Sequence, residues 1–162
     1  MIELLMALGI FSIILLAIVS SLLWMNSYNK RTKADREVSE NAKRALEQMS
    51  YEIRSAKSLY TPTTTATQLS LEALHYLPSG ESVTFIDFFL CGDSLCLKKE
   101  GQSSVLVTPE DVRITSLSFS PIVTGSVTSI KMSLEAEYAF ESGDGNSVPS
   151  VSFTSTASLR SY

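Results

Sequence analysis

With 162 residues, a formal net charge of −4 and 44% hydrophobic residues, the chain has room for one globular domain with a modest core. The charge is uneven: residues 1–60 hold eight Lys/Arg against six Asp/Glu, and residues 61–162 hold five against eleven. An acidic C-terminal region lacks the basic patch that nucleic acid demands, so no nucleic-acid partner is expected.

From Leu4 to Met25 the chain is uncharged, with one carboxylate, Glu3, just ahead of the run. About 22 residues at ~1.5 Å each make roughly 33 Å of helix, enough to cross a bilayer core of ~30 Å. Burying the Glu3 carboxylate in hydrocarbon costs about 2.5–3.5 kcal/mol even on lenient scales, so its position calls for a compensating partner. The run exceeds the apolar stretch of a secretory signal, has no basic region before it and no small-residue cleavage site after it. Trp24 and Tyr28 stand where an aromatic belt belongs and equally where simple packing would put them. Lys30, Arg31, Lys33 and Arg36 follow. These cations alone would hold the C-terminal part in the cytoplasm, unless a basic leader once preceded residue 1.

Beyond Tyr28 the apolar positions Val38, Ala42, Leu46, Met49, Ile53, Ala56 and Tyr60 recur in steps of three and four, one stripe of an amphipathic helix. Charges on the other face suit i,i+4 pairing, Arg31 with Asp35, Arg36 with Glu40 and Glu40 with Arg44. No Gly or Pro interrupts residues 10–61, and Pro62 with the following threonines is the natural stop. The spacing therefore predicts one long helix in two halves: residues 1–27, apolar all round, and residues 28–61, one-sided.

After residue 65 the period shortens to two. Strands are expected at Gln68–Leu74, Val83–Leu90, Leu95–Lys99, Val105–Val107, Val112–Phe119, Val127–Phe140 and Val151–Leu159. A phase change at Thr115-Ser116 marks a bulge. In the strand from Val127, Ile130, Met132, Leu134, Ala136, Tyr138 and Phe140 share one face, opposite Lys131, Ser133, Glu135 and Glu137. Helix first and antiparallel strands after give an α+β fold class: a long N-terminal α-helix packed on an antiparallel β-sheet, with residues 62–162 as the β-sheet domain and the stripe from Val38 to Ile53 as its lid.

Cys91 and Cys96 flank Gly-Asp-Ser-Leu, a spacing outside CxxC zinc and redox motifs. It fits a disulfide clamping a hairpin, hence an oxidising compartment, against the alternative of two free thiols. His75 is the lone histidine, so neither a metal site nor a cofactor is expected. The letters Gly-Asp-Ser-Leu match a lipase signature, but no strand-to-helix elbow or triad accompanies them, and no catalytic residue is assigned. The acidic loop Glu141–Asn146 only loosely resembles a calcium loop.

Met1 to Gly9 reads Met-Ile-Glu-Leu-Leu-Met-Ala-Leu-Gly and resembles the start of type IV pilins and type II secretion pseudopilins. In that family a leader is cut after a glycine, and the mature chain opens Phe-Thr-x-Ile/Leu-Glu ahead of a long apolar helix. Met1 matches the third mature position and Glu3 the acidic fifth; the leader, the cleavage glycine and two mature residues are expected upstream. The apolar half lacks the proline usual in major pilins and carries Ser20 and Ser21 there, which resembles a minor pilin or pseudopilin, similar to the J type.

The resemblance implies a filament subunit stored in the inner membrane with its C-terminal domain extracytoplasmic. Its partners would be membrane lipid, a prepilin peptidase acting on the precursor with N-methylation, and other pilin or pseudopilin subunits through the N-terminal helix. The assembly residues would be Ile2, Glu3, Leu4, Leu5 and Gly9, with Glu3 paired to the terminal amine of an adjacent subunit. Gly9 would serve close helix approach or helix flexibility; no small residue stands four positions away. The other reading is a single-pass membrane-anchored extracytoplasmic binding or adhesion module that does not polymerise.

Overall fold

The computed structural model describes residues 2–125, 127–139 and 148–160, and within these omits the side chains of Leu5, Ser27 and Lys30. The expected end of one strand at Phe140 and the acidic loop 141–146 lie outside the described residues.

Among the described residues the chain forms one helix and then eight strands. Helix α1 spans Ile2–Ser55, 54 residues, or about 81 Å. Its apolar half is exposed on every side, and one-sided burial begins at Ala34 and continues through Val38, Ala42, Ala45, Leu46, Met49 and Ile53. An i,i+4 ion pair closes between Lys33 and Glu37 at 3.7 Å, a pair the charge spacing did not single out.

The helix ends before Pro62. At Ser55 the hydroxyl donates back to the Tyr51 carbonyl (3.0 Å) and the Glu52 carbonyl (3.1 Å), and the chain turns directly into β1, Ala56–Leu59. The amphipathic half, expected to reach residue 61, is thus shorter by six residues. The cause is tertiary pairing. β1 runs antiparallel to β2 (Leu69–Ala73), and Glu72 of β2 accepts hydrogen bonds from Lys57 Nζ (2.6 Å) and Ser58 Oγ (2.7 Å). Ala56 remains fully buried as the stripe requires, but in a strand.

The strands continue as β3 (Thr84–Cys91), β4 (Ser94–Lys99), β5 (Val105–Leu106), β6 (Val112–Thr124), β7 (Val127–Tyr138) and β8 (Ser150–Ser158). They divide into two antiparallel meanders, β1-β2-β3-β4-β5 and β6-β7-β8. The single sheet of the sequence reading is in fact two, because Pro109 and the turn into Val112 interrupt the ladder after β5. Isolated bonds join them, such as Ile114 N to Asp93 O at 2.6 Å. The expected bulge is present: the β6–β7 register shifts between Ile114 and Ser116, and burial moves from Val112 and Ile114 to Leu117 and Phe119.

One core joins all layers. Val38, Met49 and Ile53 of α1 meet Leu69, Leu71, Ile86 and Phe88 of the first sheet and Ile130, Met132, Leu134 and Ala136 of the second. β8 runs alongside α1 in the same direction. Lys43 Nζ lies 5.7 Å from the Phe153 ring centroid, and Ser158 and Leu159 share a groove with Tyr51 and Arg54. β7 returns, bringing Tyr138 to Glu37. Burial first, and then its hydrogen bond to the Glu37 carboxylate, push the Tyr138 phenol above its ordinary pKa.

Candidate functional site

The feature most in need of a partner is the first half of α1. Ile2–Ser55 contains a stretch of mean hydropathy 2.7, none of it buried in the fold, long and apolar enough to cross a membrane. The core helix of a soluble protein would hide such a stretch. Here Ile13, Ile14, Leu15 and Leu16, which point around the whole helix circumference at ~100° per residue, are all exposed. A surface of this size exceeds what a monomer leaves to water. Such a surface suits lipid or other apolar helices better than water.

Glu3 stands in the first turn of this helix and is exposed. Unpaired N–H groups there favour a negative charge by about 0.3–1 kcal/mol. Ile2 and Leu4 flank it at 75% and 72% exposure, so the acid sits within an apolar collar. The Leu5 side chain lies outside the described residues. Among the described residues a Cβ built on Gly9 would meet no atom within 4 Å, which leaves a flat spot on the helix. Ser12 Oγ donates to the Gly9 carbonyl at 2.8 Å, so that hydroxyl is already satisfied within the helix.

At the other end of the apolar half, the Trp24 and Tyr28 rings stack with centroids 5.8 Å apart. Both are exposed, Trp24 at 72%, so they do not pack into the domain. The cationic turn Lys30–Arg36 follows at once, with Arg31, Lys33 and Arg36 exposed.

Cys91 and Cys96 lie at disulfide distance, with Cα atoms 5.9 Å apart. The β3–β4 ladder pairs Cys91 with Ser94 and Phe89 with Cys96, so the sulfurs are diagonal neighbours on the face of the first sheet away from the helix. The turn between them is Gly92-Asp93, and Gly92 takes the φ of +67° that such a turn demands. Arg113 binds Asp93 (3.1 Å) and Glu137 (3.5 Å), tying the clamped hairpin to the second sheet. Ser94 of the Gly-Asp-Ser-Leu stretch opens β4 in this turn.

Sequence reasoning missed one polar cluster. Glu52, 3% exposed, lies 3.0 Å from His75 Nε2 and 3.9 Å from Lys99 Nζ; Lys99 Nζ in turn sits 3.3 Å from the Tyr76 ring centroid. The signal was there: Glu52 stands three residues after Met49, on the buried arc of the stripe. The cluster ties the chain after β2 to the helix. Among the described residues no group of three or more His, Cys, Asp or Glu is placed to hold a metal ion. No protein-family model matches this chain, and no curated protein and no solved structure matches it either.

Proposed function

We propose that this chain is a structural subunit, a minor pilin or pseudopilin, of a type IV pilus-like or type II secretion filament. It is stored in the inner membrane and assembled through its N-terminal helix. The observation that carries the reading is one helix with two fates: a half that is apolar and exposed on every side, headed by the single acid Glu3, and a half that is buried on one face by its own domain.

In the membrane, lipid covers the apolar half. In the filament, the same surface packs against the equivalent helices of neighbouring subunits. Glu3 then meets the amino terminus of an adjacent subunit, which offsets the cost of desolvating the carboxylate and fixes axial register, a specificity role for a buried ion pair. The Cys91–Cys96 pair supports an extracytoplasmic position for the β domain, since cytosolic thiols stay reduced.

The test is Glu3→Val in the full-length chain, expressed in a host that assembles the filament. The variant should fractionate with the membrane at wild-type levels and be absent from sheared, purified fibres. Wild-type protein found in the membrane and never in fibres would favour the non-polymerising anchored module. Incorporation of Glu3→Val at wild-type levels would remove the pairing role.

A further inference from the structure

The charged turn that follows the apolar half has a chemistry of its own. Residues 26–33 hold Lys30, Arg31 and Lys33 and no acid; Asp35, Arg36 and Glu37 come next. Lys33 lies about 12 Å of helix beyond Met25. The headgroup layer adds roughly 5–8 Å to each side of the hydrocarbon, and long Lys and Arg stems reach back several ångströms more toward it. The stacked Trp24–Tyr28 pair marks the boundary, where amphipathic rings settle at a membrane surface. The domain begins to cover the helix only at Ala34.

Direction decides between partners. At about 100° per residue, positions 31, 33 and 36 point to different sides of the helix, and Arg31, Lys33 and Arg36 are all exposed. A single protein partner docking from outside meets one face of a helix. A ring of cations at headgroup depth is met from all sides, as lipid meets it.

We infer that Lys30, Arg31, Lys33 and Arg36 form a collar that gathers acidic phospholipid headgroups around the membrane-stored subunit. The inference rests on the membrane-storage reading above and adds lipid selectivity to it. Each cation near an anionic surface contributes attraction that fades within a Debye length. The collar therefore works at contact range and weakens in salt.

The chain carries its own probe, because Trp24 is its only tryptophan. The full-length protein is reconstituted in phosphatidylcholine vesicles containing the same fraction of either brominated phosphatidylglycerol or brominated phosphatidylcholine, and Trp24 quenching is compared. The anionic quencher should be more effective by about twofold or more. That excess should shrink at high salt and vanish in K30Q/R31Q/K33Q/R36Q. A milder variant, K33Q/R36Q, should lose part of it while keeping wild-type helicity. Equal quenching by the two lipids overturns the collar and leaves membrane storage standing. A preference that survives the quadruple substitution also overturns it. Quenching by neither lipid would place Trp24 outside the bilayer and overturn storage and collar together.

Discussion

His75 Nε2 stands 3.0 Å from Glu52 Oε2, joining the chain after β2 to the last turn of α1 across the core boundary. Glu52 is almost wholly buried, while the His75 and Lys99 side chains keep 31% and 19% of their surface. The cost of breaking the cluster therefore falls below the ~3–5 kcal/mol of a fully buried pair. Glu52→Ala should lower stability by about 2–3 kcal/mol, and Glu52→Gln, which keeps a hydrogen-bonding head, by less. Chemical denaturation of the full-length chain in mild detergent measures both. A Glu52→Ala loss under about 0.5 kcal/mol, the scatter of surface substitutions, would mean the cluster does not hold this segment to the helix.

The junction between α1 and β1 should respond to acid. Hydrogen bonds from Lys57 and then Ser58 hold the Glu72 carboxyl below its ordinary pKa of 4.5. A carboxylate with a depressed folded-state pKa stabilises the fold above its unfolded pKa, and that stability is lost as pH falls through the folded value. Wild-type stability should therefore decline below about pH 4.5 more steeply than that of Glu72→Gln. Carboxyl NMR titration should show Glu72 shifted back up in Lys57→Met. Identical acid limbs for wild type and Glu72→Gln would show that these bonds do not persist in solution.

Much of this architecture was legible from period alone. The stripe Val38, Ala42, Leu46, Met49 and Ile53 is buried as its spacing requires, and the inner positions of β7 alternate with its exposed ones. The helix end was not legible, because Ala56 satisfies the helical stripe and the strand equally well. Only the bonds from Lys57 and Ser58 to Glu72, some fifteen residues away, decide between them, and a local pattern does not contain that partner. The division into two sheets was hidden for the same reason: pairing between strands is non-local. Glu3 and the cysteine pair were visible as residues, whereas the Glu52–His75–Lys99 cluster needed the fold to bring its members together.

The two halves of the helix should answer truncation differently. Met49 is fully buried, and Leu16 is 65% exposed. Met49→Ala should cost about 2–5 kcal/mol through lost burial and the cavity left behind. Leu16→Ala should change the unfolding of the β domain by less than about 0.5 kcal/mol. Paired denaturation curves in detergent decide this. Equal losses would mean that the apolar half packs back on the domain.

Reduction of Cys91–Cys96 should be tolerated. A ring this small removes only about 2 kcal/mol of chain entropy from the unfolded state, and the Gly92-Asp93 turn already favours the same hairpin. Cys91→Ser/Cys96→Ser should therefore stay folded, with a loss of about 1–2 kcal/mol. Maleimide should label the wild-type chain only after reduction. Labelling of freshly isolated, unreduced protein would show free thiols and remove the support that the pair lends to an extracytoplasmic domain.

Two hydroxyls in the first sheet run against the usual rule for buried polar groups. Among the described residues, Thr84 Oγ1 and Ser70 Oγ, both in fully enclosed residues, meet no hydrogen-bond partner. A buried donor left unmade costs about 1–3 kcal/mol relative to a hydrated one. Valine has nearly the shape of threonine, and position 84 pairs with Ala73 at the end of the β2–β3 ladder, where a β-branched residue packs well. Thr84→Val should accordingly raise stability by about 1 kcal/mol. Ser70→Ala should gain less, because alanine lacks an atom to fill the volume of the serine hydroxyl. If thermal unfolding instead shows Thr84→Val destabilised, the hydroxyl has a partner, such as an ordered water, that the protein atoms alone do not supply.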